Sequence, residues 1–246
     1  MKIRTPDTSF TASQRRALKL RYIIRAMFFP ENNAMKRNFL RTLVVGFSLL
    51  AGLGLGVLAH AEDEAPDALI KRLSADVLDS IKSDKSIRSG DLTKIVALVD
   101  ARILPNLDFQ RMTASAVGPA WRQATPEQQK RLEDEFKILL VRTYSGALAQ
   151  VTDQTVSIKP LRANAEDKEV VVRTEIKGGA DPIQLDYRLV KTPGQGAGWK
   201  IYNINVLGVW LVENYKSQFA AEINAKGLDG LIATLVERNK ANAKKS

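Results

Sequence analysis

Two hydrophobic periods divide the chain. Leu69, Leu73, Val77 and Ile81 recur every four residues, with Leu78 beside them. Leu92, Ile95, Val96, Val99 and Ile103 continue that period until Pro105 interrupts it. Both runs read as amphipathic helices. Phe109, Met112 and Ala116 predict a short third helix closed by Gly118-Pro119. A longer helix follows. Thr125 is a suitable N-cap, Pro126 fits the first helical position and Gln128 completes a capping box. Leu132, Phe136, Leu139, Leu140, Thr143, Tyr144, Ala147 and Leu148 then read as one long apolar face.

Beyond residue 150 the period changes to two. Val156 and Ile158 alternate with Ser157 and Lys159. Val170, Val172, Thr174 and Ile176 alternate with Val171, Arg173 and Glu175, and Ile183, Leu185, Tyr187 and Leu189 with Gln184, Asp186 and Arg188. These are half-buried antiparallel strands joined by turns such as Lys177-Gly178-Gly179. The run Trp199 to Val206 changes parity, from Trp199/Ile201 to Ile204/Val206, which implies a bulge or a strand covered on both faces. Thr192 to Gly198 is a loop. Leu211, Tyr215, Phe219 and Ile223 begin a helix ending at Gly227; Leu231, Ile232, Leu235 and Val236 form a last one before a solvated tail, Asn239 to Ser246. The expected class is α+β: helices packed on a curved antiparallel sheet of about four strands, enclosing an apolar cleft.

The leader changes the picture. Met35-Lys36-Arg37 and Arg41 precede an uncharged stretch, Leu43 to Leu58, and Ala59-His60-Ala61. Residues 35–61 therefore read as a secretory signal peptide, with Glu62 starting the mature chain. A retained anchor is the alternative, but 16 residues fall short of the ~20 that cross a bilayer as a helix. Residues 1–34 are an upstream extension: either Met35 is the true start, or the extension is an unstructured cytoplasmic one. Residues 62–240 form a single domain, and 241–246 a disordered tail.

Charge and chemistry shift with that cut. Residues 1–61 hold 10 of the 37 basic and 2 of the 27 acidic residues, so the mature chain carries a net charge of only +2. The basic character of the precursor is no argument for nucleic acid. The chain has no Cys and its one histidine, His60, leaves with the leader. The commonest metal ligands and most nucleophile–base pairs are then absent. No glycine-rich phosphate loop or G-x-S-x-G occurs. Glu133, Asp134 and Glu135 read as the solvated face of a helix, and Asp186 and Arg188 as an outward ion pair on a strand. Arg142-Thr143-Tyr144 reads as an amphipathic rim or as ligand contacts. The inward residues of the long helix and the strands fit either a packed core or a pocket for an apolar ligand; period cannot separate the two.

Several blocks, in order, resemble the MlaC family: Ala120 to Gln129, Leu139 to Leu148, Trp199 to Ile204, Leu211 to Phe219 and Gly227 to Ile232. The resemblance spans essentially residues 62–240. One departure is Trp210, where family members often show Ser. The resemblance implies a non-enzymatic periplasmic protein that holds phospholipid as cargo, its acyl tails in a cleft between sheet and helices. It implies no cofactor, metal or nucleic acid. It also implies two partners, an inner-membrane ABC lipid transporter complex and an outer-membrane lipoprotein–porin complex. The residues expected to line the cleft are Phe136, Leu139, Leu140, Tyr144, Val172, Ile183, Tyr187 and Ile201. With no arginine cluster on that inner face, the head group is expected to stay in water and loading to follow lipid abundance. The alternatives are a secreted cone-shaped α+β enzyme with a carboxylate base such as Asp186, and an adaptor module with a solid core.

Overall fold

The computed structural model describes residues 63–148 and 151–243, apart from 152, 165 and 179–181. The leader, the upstream extension and the expected cut before Glu62 lie outside the described residues, as does part of the Lys177-Gly178-Gly179 turn.

Helix α1 (Pro66–Ser83) opens with proline in its first turn and buries Leu69, Ile70, Leu73 and Ile81. The residues before it are tied to the loop at Thr192 to Gly198: the Glu64 N–H donates to Ala197 O at 3.1 Å. Gly198 (φ +82) lies against Asp63 so closely that a Cβ there would overlap its carboxyl. Aspartates start the next elements. Asp84 caps α2 (Lys85–Arg88), and Asp91 accepts from the Thr93 and Lys94 N–H groups at the start of α3 (Leu92–Leu98). Helix α3 widens into a π-helical turn, Val99–Ile103, before the proline-containing 3-10 turn Leu104–Asn106. Asp108 caps α4 (Phe109–Val117), whose start is hydrogen-bonded to Ile201 O at 2.8 Å. Helix α5 (Pro126–Leu148) has the expected reciprocal cap: Thr125 N–H to Gln128 Oε1 at 3.0 Å and Gln128 N–H to Thr125 Oγ1 at 3.2 Å.

The sheet is antiparallel throughout and runs in sequence order: β1 (Thr155–Ile158), β2 (Glu169–Lys177), β3 (Ile183–Lys191), β4 (Trp199–Val206) and β5 (Val209–Trp210). It has five strands rather than about four. The fifth is two residues long, too short to leave a period-two signal. It forms because Leu207 (φ 51) and Gly208 (φ 86) turn the chain sharply, the positive φ pair of a two-residue hairpin. The parity change in β4 is a bulge. Arg188 faces Asn203 while Leu189 faces Ile201, so Tyr202 is the extra residue.

Helix α6 (Leu211–Ala243) breaks at Gly227 (φ 70, ψ −174), where helical geometry stops and restarts. The second half folds back on the first. Thr234 Oγ1 donates to Glu222 Oε2 at 3.0 Å, and Arg238 reaches Gln218. Asn239, expected in a solvated tail, is instead buried, and its Nδ2 donates to Glu135 Oε2 at 2.7 Å. The helix runs on through Ala243 because α5 lies beside it and gives Asn239 a partner. Glu135 is likewise buried rather than solvated, held by Arg131 at 3.0 Å and by Asn239.

Buried side chains form separate layers. Leu69, Ile70 and Leu73 of α1 pack on Val172, Leu189, Trp199 and Ile201 of the sheet. Leu132, Phe136 and Leu139 of α5 pack on Tyr215, Phe219, Leu231 and Leu235 of α6.

Candidate functional site

Between those layers the molecule is hollow. A cavity of about 340 Å³ is bounded by α1, the π-helical turn, α5 and the inner face of the sheet. That size lies within the range of small-molecule sites, about 300–1,000 Å³. Its walls are aliphatic almost throughout. Helix α1 gives Leu73, Val77 and Ile81; the turn gives Val99 and Ile103; the strands give Val156, Ile176, Leu185, Ile204 and Val206. The bulge at Tyr202 lets β4 present both Ile201 and Ile204 to the cavity.

Five of the eight residues expected to line a cleft are brought together here: Leu140, Tyr144, Ile183, Tyr187 and Ile201. The other three are not. Phe136 and Leu139 occupy a second stripe of α5 and face α6. The Phe136 ring stands 5.0 Å from Tyr215, 5.3 Å from Phe219 and 5.8 Å from Phe109, centre to centre. Val172 is fully buried beneath α1, outside the hollow. The single apolar face read from α5 is thus two, one buried against helices and one open to the cavity. The walls given by α1 and the π-helical turn are not marked as such in the sequence. Their apolar period was visible, but nothing in it says which surface they oppose.

Polar groups in the lining are few. Burial pushes the Tyr187 hydroxyl up to about 12, although hydrogen bonds with Thr174 and Ser74 oppose the shift. The bond with Ser74 ties α1 to the sheet. Burial raises the Tyr144 hydroxyl as well. Neither phenol carries charge near neutral pH. Among the described lining residues the one charged side chain is Lys137, whose Nζ lies 3.0 Å from Asp100 Oδ1 in the π-helical turn.

The back of the sheet is polar. Asp186 is buried there, opposite Arg173 and Asn205 in register, and accepts from Gln184 Nε2 at 2.8 Å. It forms no pair with Arg188, contrary to the sequence expectation. Glu213 of α6 takes Arg188 instead, and the guanidinium stacks 3.9 Å above Trp210. Asp186 therefore points away from the hollow, and Trp210 lies outside its lining. No helix among the described residues is long and apolar enough to cross a membrane.

The chain is similar to known proteins. The chain is 49% identical to a phospholipid-binding protein from Ralstonia solanacearum, whose structure was solved in complex with a phospholipid. The match covers 72% of this chain and 98% of that one, with a TM-score of 0.69. The toluene tolerance protein ttg2D of Pseudomonas putida is 23% identical over 168 residues, which is 68% of this chain and 76% of that protein. The intermembrane phospholipid transport system binding protein MlaC of Haemophilus influenzae is 21% identical over 175 residues, 70% and 81% of the two chains. The family model described as MlaC protein matches residues 71–237. Taken with the α+β fold built around an apolar hollow, that match, which covers more than half of the chain, establishes that the chain belongs to the MlaC family.

Proposed function

We propose that this protein is a periplasmic phospholipid carrier. It takes acyl tails into the hollow between α1, α5 and the sheet. It exchanges them with an inner-membrane ABC lipid transporter complex on one side and an outer-membrane lipoprotein–porin complex on the other. The observation that carries the reading is the cavity itself: an internal space walled by aliphatic side chains on elements that are separately packed. The phospholipid held by the Ralstonia relative supports it.

The physical need is large. Two tails of about 16 carbons hold roughly 30 methylenes, each costing about 0.8 kcal/mol in water, or about 24 kcal/mol in all. Free lipid will not cross an aqueous space at a useful rate. A cavity as apolar as the bilayer makes the exchange nearly isoenergetic, so neither cofactor nor catalysis is expected.

Organic extraction of the purified protein followed by mass spectrometry tests the reading. Co-purified phospholipid near one equivalent is expected. Protein that stays lipid-free after incubation with vesicles overturns it. The exported form is expected to have the intact mass of a chain starting at Glu62; a mass that still includes Leu43 to Leu58 overturns the signal-peptide assignment.

A further inference from the structure

We infer that Lys137 and Asp100 form a charge-cancelling pair at the rim of the cavity, with Lys137 the contact for an anionic phosphodiester and Asp100 its built-in competitor. The inference rests on the lipid-carrier reading and deepens it. Three observations carry it.

First, Lys137 is the only charged side chain among the described lining residues. An ammonium beside aliphatic walls suits a ligand with an apolar body and an anionic end. Second, position selects the rim. The Lys137 side chain is 24% exposed and that of Asp100 45%, so the pair sits where the hollow meets solvent. From Lys137 the cavity-facing stripe of α5 continues through Leu140, Val141, Tyr144 and Leu148. Eleven residues at 1.5 Å each give about 16 Å of apolar wall beyond the ammonium. A phosphodiester at Lys137 therefore leaves its tails lying along that wall.

Third, the ammonium is already engaged, with Nζ to Oδ1 at 3.0 Å. Asp100 belongs to the π-helical turn between Val99 and Ile103, which themselves line the cavity. A π-helical turn inside helical structure is often found at a functional site. An unpaired lysine at this rim would favour net-anionic head groups over zwitterionic ones. A lysine neutralised by an adjacent carboxylate has little such preference, because binding the phosphodiester leaves Asp100 facing any further negative charge. The pair thus supplies a phosphate contact without selecting for net charge.

The test is a double-mutant cycle on the full mature chain. Each protein is incubated with vesicles of equal dioleoyl phosphatidylethanolamine and dioleoyl phosphatidylglycerol, re-isolated, and its bound lipid identified by mass spectrometry. Wild type is expected to load the two within about twofold of each other. Asp100→Asn should enrich the anionic lipid about fivefold. Lys137→Gln, which leaves Asp100 unpaired, should deplete it about threefold, and the double variant should return to the wild-type ratio. These sizes are those of partly exposed charge pairs. The Asp100→Asn enrichment should shrink as salt rises from low to molar, a response that a purely structural effect would not give. Lys137→Arg keeps the charge and should keep the wild-type ratio. Four loaded proteins with one common ratio overturn this inference and leave the carrier reading standing. Wild type that takes up no lipid phosphorus overturns both.

Discussion

Helix α5 carries two apolar stripes that are alike in composition and opposite in fate. Phe136 and Leu139 meet aromatic rings and leucines from α4 and α6 and vanish into solid packing. Leu140 and Tyr144, a residue or a turn away, look into empty space. The difference lies in what stands opposite. On the α6 side, helix packs on helix and the side chains interlock. On the cavity side, the opposing wall is a hydrogen-bonded sheet already held by α1 through Leu69, Ile70 and Leu73. Neither wall can close on the other without breaking its own packing. An internal void persists when each wall is stable by itself.

A charge buried in the core and a charge facing the cavity should have the most different effects. Val172 is fully enclosed beneath α1, so Val172→Asp should prevent folding, a loss above about 4 kcal/mol. Leu140→Asp faces a space that admits water and should stay folded by circular dichroism while losing cargo. Equal damage from both would erase the distinction between core and cavity.

Truncation gives a smaller, graded version. Phe136→Ala should cost about 3–5 kcal/mol in denaturant unfolding. Leu140→Ala should cost less than about 2 kcal/mol, because its outer side already lacks contacts. A reversed order would mean that the hollow closes in solution.

The hydroxyl of Tyr187 offers a finer probe. Its bond with Ser74 pins α1 to the sheet, so Tyr187→Phe should cost about 1 kcal/mol. A change within error would show that aliphatic packing alone fixes this wall.

The smallest effect is expected on the outer surface. Hydrogen bonds from Arg111 and Tyr202 hold the Glu169 carboxyl below its ordinary value. A depressed carboxyl stabilises the fold above its unfolded value of about 4.3, and that contribution is lost as pH falls through the lower folded value. Glu169 is about half-exposed, so Glu169→Gln should cost under about 1 kcal/mol at pH 7. The difference from wild type should disappear in acid unfolding series; a difference that grows as pH falls would contradict the assignment.

Much of this architecture is readable in the chain. Period-two runs placed Val170, Val172, Leu185 and Tyr187 on the inner face, since a pleated strand leaves no other choice. The Thr125–Gln128 cap and the stop at Gly227 followed from local backbone chemistry. The division of α5 into a core stripe and a cavity stripe was not readable. Period records which way a side chain points, not whether anything meets it. Glu135 and Asn239 read as solvated groups in the sequence for a related reason. Each is polar, and only the meeting of α5 with the end of α6 makes them partners. Tyr144 was the exception: a hydroxyl interrupting an apolar face is a weak sign of contact with something other than core.

The bulge at Tyr202 has a consequence for how the gene can change. Upstream of it β4 turns odd-numbered residues inward; downstream it turns even-numbered ones. Losing one codon there would restore a regular ladder and rotate half the strand, sending either Trp199 and Ile201 or Ile204 and Val206 to the polar face. The loop at Thr192 to Gly198, a few residues earlier, crosses no such boundary of parity. Within this short stretch, substitutions at 202 should be far easier to inherit than deletions, and variation in length should collect in the loop.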